Sequence, residues 1–351
     1  MTITDKAEFE KLASLLGAGP RRIVLVGHTN PDGDAIGAML AWGRVLETEG
    51  HRVTYIVPNR FPSFLDWMDG ASKILVFKDS PDPCVNATTE ADVIFSMDFN
   101  QPQRLEALGE VIASNTMATK VLIDHHLAPP PTFDILFSRS DLSSTCIIVY
   151  AIIWELYGLE AITKPVAEAL YVGIMTDTGN FSFGKLSPEL FHAVAHLVEK
   201  GINIHEINNN VYNSYSEGRM RLLGYVLSSK MRIIESCRTA YFALSEGELR
   251  RYNFQIGDTE GFVNFPLIIK GLHMSAMFVQ TRRFIRVSLR SRGDVDVNLF
   301  ARRYFEGGGH KNAAGGKSFD TVEQTVERFR KAVYEFFGVD NPELQDDRKD
   351  S

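Results

Sequence analysis

The stretch "GHTNPDGDAIG" (27–37) sets one histidine and two carboxylates, His28, Asp32 and Asp34, within seven residues. A turn has use for Asn30, Pro31 and Gly33, which preset or permit bent backbone, but none for an imidazole and two acids. The theme recurs at Asp98, at Asp124 with His125 and His126, and at Asp177. His28, Asp32, Asp34, Asp98, His125 and Asp177 make a candidate metal-ligand set. Four carboxylates crowded together repel one another at neutral pH, and two divalent cations would neutralise them. Mixed imidazole and carboxylate donors suit Mn²⁺ better than Mg²⁺, with Co²⁺, Fe²⁺ and Zn²⁺ as rivals. Two such ions ~3.5–4 Å apart lower the pKa of a shared water for in-line attack on phosphorus.

The elements that must carry these residues are legible. "RIVLVGH" (22–28), "DVIFSMD" (92–98) and "KVLIDHH" (120–126) are apolar, β-branched runs of the kind that form buried parallel strands. "AIGAMLAWGRVLETEG" (35–50) has helical period, and "HRVTYIV" (51–57) reads as a further strand. Alternation of strand and helix predicts a parallel α/β sheet. Ligand sites in such sheets collect beyond the carboxyl ends of the strands, so residues 28–34, 98 and 124–126 should share one crevice. "KPVAEALYVGIM" predicts a helix to about Met175, with Asp177 in the turn after it. Either Ser143 or Ser144 is expected to cap the helix "TCIIVYAIIWELYG".

Past residue 187 the pattern is helical with polar breaks, suggesting a bridge over 214–230. From 231 the texture changes: "MRIIESCRTAYFAL", "MSAMFVQ" and "FIRVSLRSR" alternate with period two, as antiparallel strands do. A helix over "TVEQTVERFRKAVYEFF" should pack on that sheet through Val322, Val326, Phe329 and Val333. The expected layout is a catalytic metal-binding domain over 1–213, a helical linker over 214–230, a smaller α/β domain with a mixed sheet over 231–340 and a disordered tail over 341–351.

Bulk properties narrow the classes. The chain has 351 residues, 44% hydrophobic and 23% charged, as a soluble two-domain protein would. A net charge of −7 argues against a broad basic surface for long DNA or RNA. Three scattered cysteines form no CxxC pair, fitting a reducing compartment. No signal peptide and no apolar run of ~20 residues is present, so a cytoplasmic protein without membrane attachment is expected. His192 and His196 have i, i+4 spacing but lack the glutamate of HExxH, so helix packing or a surface position is the expectation there.

Taken in order, "HTNPDGDAIG", "SMDF", "IDHH", "TDTGNF" and "GGGHKNAAGG" resemble the DHH phosphoesterase superfamily in its DHH–DHHA1 subfamily, from about residue 20 to 318. The resemblance implies that His28 and Asp32 hold one metal, that Asp34, His125 and Asp177 hold the other, and that Asp98 bridges them. His126 would face the scissile phosphate, and Asp124 would orient its neighbours. Ala38 stands where many members have serine, a departure that leaves every ligand position intact.

The second domain would read the substrate. With period two, Arg286, Ser288, Arg290 and Arg292 share a face, and guanidiniums suit phosphate. By the resemblance, Arg290 is the leading candidate, with Ser291 beside it. "GGGHKNAAGG" (307–316) reads as a glycine-rich loop whose backbone N–H groups converge on an anion, with His310 and Asn312 adding donors beside Gly307, Gly308 and Gly309. The function expected is Mn²⁺-dependent hydrolysis of short nucleotides: nano-RNA to mononucleotides, and 3′-phosphoadenosine 5′-phosphate (pAp) to AMP. The alternatives are a cyclic di-AMP or linear dinucleotide phosphodiesterase, and a nucleotide sensor without turnover. A homodimer is expected from the resemblance alone.

Overall fold

A computed structural model describes residues 6–127, 129–182 and 184–340 of the chain, so the expected tail at 341–351 lies outside the described residues. The chain divides into two compact units, the first ending at Ser214 and the second beginning at Tyr215.

The first unit is a parallel sheet of six strands: β1 (Arg22–Val26), β2 (Arg52–Val57), β3 (Leu75–Val76), β4 (Val93–Met97), β5 (Thr119–Asp124) and β6 (Ile135–Ser138). They lie in the order β3-β2-β1-β4-β5-β6, with every pairing parallel. Both faces are covered, which explains why the strands read as continuous apolar runs. Ile23 and Leu25 of β1, Phe95 of β4 and Ile123 of β5 join one buried layer with α2 (Gly33–Thr48), α5 (Thr145–Tyr157) and α6 (Lys164–Asp177). Val24, Val26 and Ile94 join the opposite layer, with Cys84 of α3 (Pro81–Glu90) and Leu108 of α4 (Ala107–Ser114). Trp42, Tyr150 and Tyr171 are fully buried, and burying a large apolar side chain contributes about 1.5–3 kcal/mol. The topological switch falls between β1 and β4, where the chain leaves for opposite sides and opens a crevice.

Close helix approach keeps that crevice in shape. A Cβ on Gly37 of α2 would lie 2.4 Å from the Ala169 carbonyl oxygen of α6, and one on Gly173 would lie 2.2 Å from Cys146 Sγ and 2.8 Å from Asp34 Oδ1. Helix α6 runs two residues further than its periodicity predicts, ending on Asp177 itself. The Thr178 hydroxyl donates to the Ile174 carbonyl at 2.7 Å and secures that end. Of the two candidate caps for α5 it is Ser144, which accepts from the Ile147 N–H. His196 meets the Tyr150 hydroxyl at 2.6 Å through Nδ1, a packing role.

The second unit is a mixed sheet in the order β11-β12-β10-β9-β8-β7: β7 (Arg232–Ile234), β8 (Thr239–Leu244), β9 (Met274–Gln280), β10 (Ile285–Ser291), β11 (Glu306–His310) and β12 (Ala313–Ser318). Strands β8 and β9 run parallel while the other pairings are antiparallel, which makes the mixed sheet expected for this domain. Their connection is long enough to include α10 (Glu246–Arg251) and a 3-10 segment over Phe262–Ile268, so the chain can return to the same end. One face packs on α11 (Val297–Tyr304) and α12 (Val322–Phe337) through Phe278, Phe300 and Phe329. The segment expected as a helical linker is helical. Residues Glu217–Tyr225 form a helix and Val226–Lys230 a π turn. Their Leu222 and Val226 are buried with Phe242, Leu244 and Phe262 of this unit, and that burial holds them.

Gly173→Ala should cost about 1–3 kcal/mol by overpacking, read as a lower urea midpoint at unchanged slope. Gly224→Ala, where nothing lies within 4 Å of the added methyl, should instead stabilise by about 0.5–1 kcal/mol.

Candidate metal centre

All six residues proposed as ligands from the sequence come together at the carboxyl edge of the first unit's sheet. Three of them, His28, Asp32 and Asp98, offer ligand atoms within 4.8 Å of one another, as do Asp34, His125 and Asp177. Asp98 joins the two groups. Its Oδ2 lies 3.4 Å from His28 Nε2, and its Oδ1 lies 3.5 Å from His125 Nε2. His125 Nε2 is also 3.2 Å from Asp177 Oδ2 and 3.8 Å from Asp34 Oδ2.

Local structure aims each group. Asp32 caps α2, its Oδ1 accepting from the Asp34 and Ala35 N–H groups at 3.1 Å. Asp34 points into the start of α5, where Thr145 and Cys146 N–H groups donate to its oxygens at 2.6 and 2.9 Å. That helix terminus favours negative charge. Asp98 follows β4 with φ of +64°, while its N–H still donates to the Ile123 carbonyl at 3.0 Å. This left-handed backbone turns the carboxylate out of the strand direction, and aspartate tolerates it better than most residues. The Thr145 hydroxyl donates to Asp98 Oδ1 at 2.8 Å.

The electrostatics are those of a site short of positive charge. Burial, followed by the Asp98 and Asp177 carboxylates, pushes Asp34 well above the usual carboxylate range. Burial would raise Asp98 too, but His28, His126 and His125 hold it far below. His125 is raised by Asp98, Asp34 and Asp124 against the effect of its own burial. His28 Nε2 is sealed from solvent without a well-formed hydrogen bond, although an unpaired buried polar atom is costly. Its Nδ1 meets the Thr29 carbonyl at 2.9 Å, so Nε2 is the nitrogen turned inward toward Asp98. A cation between these nitrogen and oxygen donors would satisfy Nε2 and offset the carboxylate repulsion, so the donor set fits a divalent metal.

His126 and Asp124 stand apart in role. Asp124 is fully buried. Its Oδ1 takes the His126 Nδ1–H at 2.7 Å and its Oδ2 the His126 backbone N–H at 3.1 Å. That pair fixes the imidazole with Nε2 outward, where Arg104 Nη1 lies 3.3 Å away. Arg104 does not stand out in the sequence; the usable signal is a cation six residues past Asp98 in "NQPQRL", in the loop leaving the same strand end. Thr145 escapes a sequence reading as well, because a hydroxyl at a helix start reads as ordinary capping.

The second unit places the proposed substrate residues less uniformly. Arg290 is half-buried on β10, its Nη1 donating to the Leu289 carbonyl at 3.0 Å. Arg286 does not display its charge: Nη2 donates to Thr259 Oγ1 at 2.6 Å, and Nε is shut off from solvent without a hydrogen bond. Arg292 lies beyond the strand end and is exposed. Ser291 and Asn312 are turned to internal partners. Ser291 donates to the Val295 carbonyl at 2.6 Å, and Asn312 Nδ2 donates to Ser291 Oγ at 2.8 Å. The glycine-rich segment is a hairpin rather than a loop. Gly307, Gly308, Gly309 and His310 of β11 pair with Gly316, Gly315, Ala314 and Ala313 of β12. A Cβ on Gly307 would lie 2.0 Å from the Gly315 carbonyl oxygen, so close strand approach accounts for that glycine.

Because Asp98 serves both ligand groups, Asp98→Asn should weaken Mn²⁺ binding at least ~100-fold, the upper range for losing even an outer partner. Calorimetric titration of the EDTA-stripped protein reads this directly.

Comparison with known proteins gives the family. Residues 22–174 match the DHH family, N-terminal domain, and residues 252–338 match the DHHA1 domain. The bifunctional oligoribonuclease and PAP phosphatase NrnA of Thermus thermophilus is 29% identical over 92% of this chain and 93% of its own. Its namesake from Bacillus subtilis is 26% identical over 86% and 90%. Among solved structures, an exopolyphosphatase-related protein from Bacteroides fragilis is 36% identical with a TM-score of 0.89, covering 96% of this chain and 98% of that one. With both domain types present in order and a relative of that identity matched almost end to end, the chain belongs to the DHH family of phosphoester hydrolases, in the branch that carries a DHHA1 domain.

Proposed function

We propose that the protein is a Mn²⁺-dependent phosphoesterase of short nucleotides, taking nano-RNA of a few residues to mononucleotides and pAp to AMP and phosphate. The observation that carries this reading is the pair of His/Asp groups joined through Asp98. His28, Asp32 and Asp98 would hold one ion, and Asp34, His125 and Asp177, with Asp98, the other. Ions held there supply Lewis-acid activation of water and charge neutralisation at phosphorus. The namesake relatives support the substrate class, since their names give oligoribonucleotides and PAP.

The chain's own groups do the rest. Asp124 holds the His126 Nδ1 proton and so keeps Nε2 directed outward. Nε2 and the Arg104 guanidinium, 3.3 Å apart, form a polar edge for a non-bridging phosphate oxygen. On that edge the Arg104 guanidinium, which can only donate, is positioned against His126 Nε2 and offers its remaining N–H groups to the phosphate. In the second unit, Arg290 and the Gly308–His310 backbone are the groups proposed to bind substrate. Ser291 and Asn312 support them by fixing the turn over residues 291–295.

With purified protein in Mn²⁺, release of AMP from pApA and of phosphate from pAp should outpace hydrolysis of cyclic di-AMP. EDTA should abolish both, and Mn²⁺ should restore them. A clear preference for the cyclic compound would overturn the substrate assignment, and tight pAp binding without metal-stimulated turnover would identify a sensor. Arg104→Ala should lower kcat/KM on pApA by about 100-fold, the loss typical of one preorganised donor at a developing oxyanion. Arg290→Ala should raise KM with a smaller change in kcat.

A further inference from the structure

The second unit carries a basic and aromatic concavity that the phosphoesterase reading does not use. It encloses about 400 Å³ and is lined by Arg302, Arg303, Lys317, Phe319 and Arg328, with Glu306 and Asp320 as its acids. It lies at the far end of the glycine hairpin. Lys317 pairs with Glu306, whereas His310 pairs with Ala313, so four ladder steps, about 13 Å at ~3.3 Å per residue, separate it from the His310 end.

Its charges are unevenly engaged. Arg328 is held by Asp320 at 3.3 Å and Ser318 at 2.6 Å, and Arg303 is paired with Glu335. Arg302 donates to the Asn298 amide oxygen, and Lys317 lies 4.9 Å above the Phe284 ring. Neither has a carboxylate partner among the described residues, nor do the exposed Arg282 and Arg283 in the turn that ends at Phe284. In a chain of net charge −7, this is a local reversal of sign. Two aromatic rings sit beside these cations. Phe319 is 65% exposed, a poor position for a phenyl ring unless a partner covers it. It meets Phe284 edge to face, with centroids 6.3 Å apart.

We propose that this concavity is an accessory site for single-stranded RNA, one base stacking on Phe319 and the flanking phosphates meeting Lys317, Arg302 and the Arg282–Arg283 turn. Unpaired bases offer an apolar face to an aromatic ring, and the phosphates on either side of that base need cations that are not already neutralised. Phe319 and Lys317, two residues apart on one strand end, supply both. A double helix hides its base faces and is excluded by the same chemistry. The site takes the strand by its backbone and one base face, so it discriminates weakly among sequences.

The test is fluorescence anisotropy with 5′-fluorescein-labelled hexaadenylate and the full chain in EDTA, which stops hydrolysis. Phe319→Ala should weaken binding at least fivefold and Phe319→Trp should preserve it. The Lys317→Gln, Arg283→Gln double variant should lower the slope of log affinity against log salt by about 1.4, given ~0.7 per phosphate contact on single strands. Unchanged affinity and slope in these variants, or equal binding of a labelled RNA duplex, would overturn the proposal. This outcome is separate from the fate of the catalytic reading. AMP release from pApA by the unmodified protein tests that reading alone, and an inactive protein whose hexaadenylate binding depends on Phe319 would still have this site.

Discussion

Mutual repulsion among buried carboxylates governs the first unit. Asp34 and Asp98 are almost wholly enclosed, and the fold brings up every available compensation: two backbone N–H groups of α5 for Asp34, the Thr145 hydroxyl and three imidazoles for Asp98. These are partial remedies, since Asp34 remains pushed toward its neutral form. The helix packing follows from the same demand. Cys146 and Gly173 press against Asp34 because α5 must come close enough to donate its first N–H groups. A cation completes an arrangement that the polypeptide alone leaves short of positive charge.

The sheet and its ligands are readable because they obey local rules. Strands buried on both faces need unbroken apolar runs, so β1, β4 and β5 stand out, and their ends mark where His28, Asp98 and Asp124 must lie. Asp177 reads as a turn residue in the sequence and is the last residue of α6 in the structure, a boundary that periodicity locates only within a turn of helix. Arg104 and Thr145 are invisible for another reason. Their importance comes from His126 and Asp98, partners 22 and 47 residues away in sequence, and no local pattern encodes such a meeting.

The second unit is legible in outline and misleading in detail. Period two in "FIRVSLRSR" correctly separates Ile285, Val287 and Leu289 from the arginines. What alternation cannot show is whether the polar face meets water. The segment after α10 supplies Thr259 to receive Arg286, so that face is in part covered. The glycines of 307–316 invite a loop reading, because glycine most often marks bent chain. Here five ladder pairs bring the β11 and β12 backbones close instead. The same hairpin places Lys317 at one end and His310 at the other, so one short element carries groups of different character at its two extremities.

The left-handed backbone at Asp98 has an evolutionary corollary. Asparagine occupies that region of conformational space as readily as aspartate, so one base change in a codon can delete the shared carboxylate without straining the strand end. On the proposed role of Asp98, that single mutational step would give a folded, inert descendant, and a lineage could keep the fold after the chemistry had gone.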